Sequence, residues 1–175
     1  MQKELAKEKS ILLIGFMGVG KTTIGKALAN KLQRDFVDID HQLEKEYNMT
    51  VTEIFHHYGE EFFRKKEKEM IIALSKQTKK VISLGGGAFL QEDIRENCLE
   101  NGIVLYLDMP FKAWRERIPF IIDSRPVLQG KSEEEIKKLF NERKAIYVNH
   151  HLKVKLDGKE LVEIVDSIID SLDLV

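Results

Sequence analysis

The most informative segment of the chain reads Gly15-Phe16-Met17-Gly18-Val19-Gly20-Lys21-Thr22. It matches the pattern G-x-x-x-x-G-K-[ST] at every position. The apolar run before it, residues 11–14, predicts a strand buried on both faces, as in a parallel sheet. The segment after it carries apolar residues at helical spacing from Lys21 to Leu32. Strand, glycine-rich turn and helix together form the context in which this motif binds the phosphates of a nucleoside triphosphate.

Residues 15–22, the phosphate loop, contain the groups that such a site requires. The glycines allow backbone amides to converge on phosphate oxygens, and the helix N-terminus adds its dipole. Lys21 can reach the β- and γ-phosphates, and the Thr22 hydroxyl can bind Mg²⁺. The competing interpretation, an ordinary glycine-rich turn, is disfavoured by eight matched positions with the correct flanks. We therefore predict that the nucleotide is bound by Gly18, Val19, Gly20, Lys21, Thr22 and Thr23.

Short apolar runs alternate with helical segments in the rest of the chain. Further strands are predicted at residues 36–38, 80–84, 103–107 and 152–156. Helices are predicted at residues 41–47, 51–57, 60–75, 91–100, 111–117, 132–147 and 160–172, and residues 118–131 are predicted to be irregular. This alternation predicts an α/β fold, a five-stranded parallel sheet flanked by helices on both faces. The length of 175 residues predicts one domain spanning residues 1–175, with ligands at the carboxyl ends of the strands.

Composition excludes several classes of protein. The 28 basic and 29 acidic residues leave a formal charge of −1, so we expect no nucleic-acid or membrane partner. A single cysteine excludes a disulfide scaffold. Residues 1–10 are charged and do not resemble a signal peptide, and no apolar run approaches the roughly 20 residues of a membrane span. We therefore expect a cytoplasmic protein.

Two acids, Asp38 and Asp40, follow the second predicted strand. Side chains at positions i and i+2 of a strand point the same way, so both acids are predicted to face the phosphates. One carboxylate could hold the metal, and the other could face an acceptor hydroxyl. A polar helix N-terminus is the simpler alternative for either acid alone. The guanine-binding pattern N-K-x-D does not occur in the chain, which argues against a regulatory GTPase.

Five further motifs follow the phosphate loop in order. They read D-I-D (38–40), G-E-E-F-F-R (59–64), L-G-G-G-A (84–88), R-P-V-L (125–128) and N-E-R-K-A-I-Y (141–147). Together with G-F-M-G-V-G-K-T-T-I-G (15–25), this set resembles the shikimate kinase family. The resemblance implies a nucleoside-monophosphate-kinase-like fold with a mobile lid at about residues 118–131. It also implies that ATP, with Mg²⁺, phosphorylates the 3-hydroxyl of shikimate in aromatic amino-acid biosynthesis, and that the protein is a monomer.

The resemblance assigns a role to each motif residue. Lys21, Asp40 and Arg117 would be catalytic, with Asp40 bonded to the reacting hydroxyls and Arg117 near the transferred phosphoryl. Arg125 would come from the lid onto ATP, and Thr22 and Asp38 would hold the metal. The acceptor would be bound by Asp40, Arg64, Gly86, Gly87 and Arg143. Planar guanidinium groups suit a carboxylate, which supports the two acceptor-binding arginines independently.

Some alternatives stay open from the residues alone. Residues 64–69 could be a solvated helix face with i,i+3 and i,i+4 ion pairs, and Arg143 could be a surface residue. The chain could phosphorylate another small polyol acid such as gluconate. It could also be a nucleotide-binding module whose catalysis has decayed. Acceptor-dependent release of ADP distinguishes these hypotheses.

Overall fold

A computed structural model describes residues 7–173 of the chain. Its centre is a five-stranded sheet of β1 (Ile11–Ile14), β2 (Asp35–Asp38), β3 (Lys80–Ser83), β4 (Ile103–Asp108) and β5 (Leu152–Lys155). The strand order is β2-β3-β1-β4-β5, and every neighbouring pair is parallel. The predicted parallel sheet is therefore confirmed, and no strand end differs from its predicted position by more than one residue.

Helices connect these strands. They are α1 (Lys21–Leu32), α2 (Ile39–Tyr47), α3 (Val51–Ser75), α4 (Glu92–Asn101), α5 (Phe111–Trp114), α6 (Ile118–Ile121), α7 (Glu133–Ile146) and α8 (Leu161–Leu172). Capping boxes at Thr50 and Ser132 begin α3 and α7. Gly59 has φ 84° and ψ 165°, which interrupts α3 where two separate helices are predicted. A glycine tolerates this positive φ because it has no Cβ.

The segment 118–131 is more ordered than the predicted irregular stretch. It opens with α6, continues as a 3₁₀ turn at Ile122–Ser124, and only then becomes a series of turns. Pro119 suits the first turn of a helix, because its missing N–H would have no partner there. The predicted helix 111–117 ends earlier, at Trp114, and continues as a 3₁₀ turn at Arg115–Arg117.

The position of β1 in the sheet determines where the site forms. All four of its residues are at most 1% exposed, since β3 and β4 flank it and helices cover the sheet. The phosphate loop therefore leaves the middle of the sheet. The carboxyl ends of β2 and β3, with their acids and glycines, lie on the same edge. Within residues 7–173, no helix combines the length and apolar character needed to cross a membrane.

Candidate active site

Carbonyl groups of the phosphate loop accept hydrogen bonds from Lys21. Lys21 begins α1, and its buried ammonium donates to the carbonyls of Gly15 at 2.7 Å and Phe16 at 3.0 Å. Burial, with a further contribution from Arg125, lowers the pKa of Lys21 to about 7. An anion placed in the loop would favour the charged ammonium of Lys21. Val19 is buried, and its backbone N–H donates to the Phe16 carbonyl at 3.3 Å.

The segment after β4 forms hydrogen bonds with Met17 and Gly18 of the phosphate loop. The Trp114 indole N–H donates to the Met17 carbonyl at 2.7 Å, and Arg117 Nη1 donates to the Gly18 carbonyl at 2.9 Å. A Cβ at Gly18 would lie 2.7 Å from Ile121 Cδ1, and Gly18 has φ 77°, so only glycine fits beneath α6. Arg117, predicted to lie near the transferred phosphoryl, is thus placed beside the loop.

Thr22 and Asp38 are adjacent, as predicted for metal ligands. The Thr22 hydroxyl donates to Asp38 Oδ2 at 2.6 Å, and Asp38 Oδ1 accepts from the backbone N–H of His41. No cluster of three or more His, Cys, Asp or Glu side chains suited to a metal ion occurs in the part of the chain that the structure describes. One carboxylate and one hydroxyl nevertheless fit Mg²⁺, because this ion takes few protein ligands and completes its shell with phosphates and water.

Asp40 reaches the site by a different route from the one the sequence predicts. The strand ends at Asp38 and α2 begins at Ile39, so the side-chain alternation of a strand does not apply to Asp40. Asp40 lies instead in the first turn of α2, where Oδ2 accepts from Arg125 Nη1 at 3.3 Å. Burial raises the pKa of Asp40, and the charge of Arg125 opposes that rise. Asp40 therefore faces the site from a helix N-terminus.

Next to the phosphate loop is a partly open cavity, here called the arginine cavity. It is lined by Asp40, Arg64, Glu67, residues 85–87, Arg125 and Arg143, among others. Arg143 is only 4% exposed, and its guanidinium lies over the Phe16 ring at 5.7 Å. Arg64 lies over the Phe63 ring at 5.4 Å. Arg143 is therefore not a surface residue. Arg64 is half-buried, with its side chain 21% exposed, although it forms the i,i+3 ion pair with Glu67 that a helix face predicts.

The glycines after β3 allow the two arginines to approach the backbone. A Cβ at Gly87 would lie 2.6 Å from Arg64 Nη2, and one at Gly86 would lie 3.4 Å from Arg143 Nη1 and 3.1 Å from the Met17 amide nitrogen. The Gly86 carbonyl accepts a hydrogen bond from the Tyr147 hydroxyl. Side chains at these positions would fill the space between the guanidinium groups.

Sequence reasoning missed Glu67, which lies among these residues. Its side chain is 0% exposed, and Oε2 accepts from Arg64 Nη1 at 2.8 Å and from Gln91 Nε2 at 3.3 Å. Burial raises the pKa of Glu67 to about 7, and Arg64 opposes that rise. A signal was available, because residues 63, 67 and 71 form one buried stripe of α3 at a spacing of four. A glutamate on such a stripe is a buried acid rather than part of a solvated face.

A second, larger cavity covers the phosphate loop. It is lined by Gly18, Gly20, Lys21, Thr22, Thr23, Asp38 and Arg117, with other residues. Met17, Asp40, residues 85–86 and Arg125 line both cavities. Asp40 and Arg125 thus lie at the junction between a site for phosphates and a site with two buried guanidinium groups. The fold and this pair of sites define a phosphate-loop kinase that acts on a small molecule.

Comparison with known proteins identifies the family. A family model described as "Shikimate kinase" matches residues 17–173. The shikimate kinase of Oceanobacillus iheyensis is 52% identical over 99% of this chain and 95% of its own length. That of Bacillus subtilis is 52% identical over 96% of this chain and 91% of its own. The chain belongs to the shikimate kinase family, which confirms the resemblance seen in the motifs. It is an ATP-dependent phosphotransferase that acts on an alcohol group.

Solved structures agree with this assignment. A shikimate kinase from Acinetobacter baumannii in complex with shikimate superposes with a TM-score of 0.89 at 31% identity, covering 98% of this chain and 97% of that one. The enzyme from Aquifex aeolicus gives 0.83 at 37% identity, covering 94% and 96%. A gluconokinase from Sinorhizobium meliloti shares the fold at 15% identity, with a TM-score of 0.52 over 94% of this chain and 91% of that one.

Proposed function

We propose that this protein transfers the γ-phosphoryl group of ATP to the 3-hydroxyl of shikimate, with the acceptor bound in the arginine cavity. One observation supports this proposal above all others. Among the described residues, the buried side-chain polar atoms without a hydrogen-bond partner are Glu67 Oε1, Arg125 Nε and Arg143 Nε. All three residues line the arginine cavity. Buried polar groups normally have partners, so a cavity with unpaired donors is built for a polar ligand.

The chemistry of the cavity suits a carboxylated ring alcohol. Arg64 and Arg143 offer guanidinium groups to the carboxylate, and guanidinium is the side chain best suited to planar, bidentate binding. Gly86 and Gly87 carry no side chain, so the ring could approach the backbone after β3 beside the two guanidinium groups. Asp40 lies toward the phosphate loop, where its carboxylate would accept the hydrogen bond of the reacting hydroxyl. The complex of the Acinetobacter relative with shikimate supports the same acceptor here.

The nucleotide would be bound on the other side of Asp40. We assign the phosphates to the amides of Gly18, Val19 and Gly20, to the start of α1 at Lys21, Thr22 and Thr23, and to two arginines. Lys21 belongs to the loop, Arg117 adjoins it, and Arg125 would bind ATP from residues 118–131. In phosphoryl transfer the protein positions the reactants and compensates charge, which these cations would do.

Thr22 and Asp38 would hold Mg²⁺ at the edge of the phosphate loop. When bound, this ion neutralises charge on the β- and γ-phosphate oxygens. In the described structure the Thr22 hydroxyl donates to Asp38, so the chain itself holds the two oxygens next to each other. Asp38 also caps α2, which restrains its carboxylate through the His41 amide.

Residues 118–131 are proposed to act as a lid within a single domain that spans residues 1–175. Phe120 is 87% exposed and lines the phosphate-loop cavity, so closure over ATP would bury it and exclude water from the transfer step. We propose that the protein acts as a monomer, as the family resemblance implies. A free, buried Cys98 and the need for ATP support a cytoplasmic location.

An acceptor screen tests the proposed function. ADP release should be stimulated strongly by shikimate and weakly or not at all by gluconate and by quinate, a related ring acid. Stronger stimulation by gluconate would contradict the proposal and favour another polyol acid. Tight ATP binding with no stimulation by any acceptor would indicate a decayed nucleotide-binding module.

Replacing Arg64 by methionine should weaken acceptor binding selectively. The substitution removes the guanidinium and keeps an aliphatic stem against Phe63. Because charge-assisted hydrogen bonds to the carboxylate are lost, KM for shikimate should rise by about 10- to 100-fold. KM for ATP should change by less than about twofold, because Arg64 lines the arginine cavity and not the cavity over the phosphate loop.

Steady-state kinetics on both substrates measures this split. Lys65→Met is the matched control, since Lys65 neighbours Arg64 in α3 and is exposed. It should leave both KM values near those of the wild type. Equal effects of the two substitutions on KM for shikimate would show that Arg64 does not bind the acceptor.

A further inference from the structure

Glu67 is a buried acid that the transfer reaction described above does not use. Its Oε2 is paired with Arg64 and Gln91, whereas Oε1 is buried without a partner. An ionised carboxylate with an unsatisfied buried oxygen is costly, and a proton on that oxygen removes most of the cost. The contacts of Glu67 therefore favour protonation of its Oε1 atom.

A second carboxylate faces the same space as the unpaired oxygen. A Cβ at Gly85 would lie 2.8 Å from Glu67 Oε1 and 2.9 Å from Asp40 Oδ1. Glu67 Oε1 and Asp40 Oδ1 thus both lie next to the Cβ position of Gly85. The negative charge of Asp40 disfavours ionisation of Glu67. A protonated Oε1 would instead present a hydrogen-bond donor to this space.

The other charged groups around Glu67 are cationic. Arg64 approaches it from its own helix, and Arg143 acts on it from α7. Both guanidinium groups are those that the proposed function assigns to the acceptor carboxylate. A ligand carboxylate would therefore compete with Glu67 for the same two cations and would add a further negative charge to a buried site.

We propose that Glu67 takes up a proton when the acceptor carboxylate binds, so that shikimate exchanges places with the glutamate as the anionic partner of Arg64 and Arg143. This inference rests on the proposed function, because it assumes that shikimate occupies the arginine cavity. The direction of the expected pH dependence follows from the linkage between proton uptake and shikimate binding. If binding takes up a proton, acceptor affinity must fall as the pH rises.

The pH range follows from the free protein. Burial raises the pKa of Glu67 to about 7. At pH values below 7 the side chain is therefore already protonated, and shikimate binding takes up only a small fraction of a proton. Above it, the acceptor carboxylate raises the pKa further and binding takes up as much as one proton. The dissociation constant for shikimate should then increase by as much as about tenfold for each pH unit between 7 and 9.

Calorimetric titration with shikimate tests this directly on the whole wild-type chain. At pH 8, titrations in HEPES and in Tris buffers, which differ in ionisation enthalpy, should show uptake approaching one proton for each shikimate bound. At pH 6 the uptake should be close to zero. Binding at pH 8 with no uptake would overturn the inference alone. No binding of shikimate at any pH would overturn the proposed function and this inference with it.

Glu67→Gln separates protonation from simple positioning of Arg64. The glutamine amide can still accept from Arg64, and its NH₂ group resembles the protonated acid. The variant should therefore bind shikimate at pH 8 at least as tightly as the wild type, with no proton uptake and a flat pH profile. A loss of affinity of tenfold or more at both pH 6 and pH 8 would show that the anionic form is required, which would overturn the inference.

Glu60→Gln is the matched control. Glu60 also contacts Arg64, at 3.5 Å from Nε, but its side chain is 64% exposed. An exposed carboxylate is stable as the anion, so this variant should keep the proton uptake of the wild type. Loss of the uptake in Glu60→Gln, or its persistence in Glu67→Gln, would assign the proton to another group and overturn the inference.

Discussion

Asp40→Asn should lower kcat for shikimate phosphorylation by about 100- to 10,000-fold, the usual contribution of a positioned acid–base group. Asparagine keeps the size of the side chain and its place in the first turn of α2. It removes the negative charge that would accept the proton, or the hydrogen bond, of the reacting hydroxyl. KM for ATP should change little. Steady-state kinetics with a coupled ADP assay measures both effects.

The fold should survive this substitution. Asp40 pairs with Arg125, but burial raises the pKa of Asp40 and so disfavours its charge. Replacing it by a neutral amide should therefore cost about 1 kcal/mol or less of unfolding free energy. Asp35→Asn is a suitable control, because Asp35 begins β2, is 80% exposed and pairs with Lys80. That variant should keep the wild-type kcat. If Asp40→Asn kept it as well, Asp40 would have no part in the transfer.

Lys21→Met should lower kcat by about 100- to 1,000-fold, because one preorganised cation at the transferred phosphoryl is lost. Methionine fills a similar volume without charge. Its effect on stability should be small, since the loss of hydrogen bonds to the Gly15 and Phe16 carbonyls is offset by removal of a buried cation. We expect the free energy of unfolding to change by no more than about 2 kcal/mol.

Urea unfolding and kinetics together check this result. Lys31→Met is the control, because Lys31 lies in the last turn of α1 and pairs with Asp166 at the surface. Wild-type turnover in Lys21→Met would show that the phosphate loop does not act on the transferred group. A large loss of stability in that variant would show that Lys21 has mainly a structural role in this protein.

Local signals explain why so much of the fold could be predicted. The four-residue apolar run of β1, the glycine pattern after it and the capping boxes at Thr50 and Ser132 each depend on neighbouring residues only. The phosphate loop is the clearest case, because its function depends mainly on backbone amides and on a lysine next to them in sequence. The order of motifs then identified the family.

Residues whose roles depend on distant partners were harder to predict. Glu67 belongs to a run of charged residues that suggests a solvated helix face. Its spacing from Phe63 and Ile71 indicates burial, but its partners Arg64 and Gln91 are seen only in the structure. Strand alternation is the wrong reason for expecting Asp40 near the phosphates, since α2 begins one residue before it. Residues 118–121 form a helix that packs on Gly18, which local propensity did not indicate.

The amino-acid sequence alone determined the parallel sheet, the phosphate loop and the family, because strand burial, helix caps and glycine turns are encoded by residues close together in the chain. The tertiary structure alone decided that Arg64, Glu67 and Arg143 share one buried cavity with Asp40 at its junction to the phosphate loop. These residues come from α2, α3 and α7, and they line one cavity beside residues 85–87, which follow β3. Such long-range proximity changes the pKa of Glu67, and no local pattern reports it.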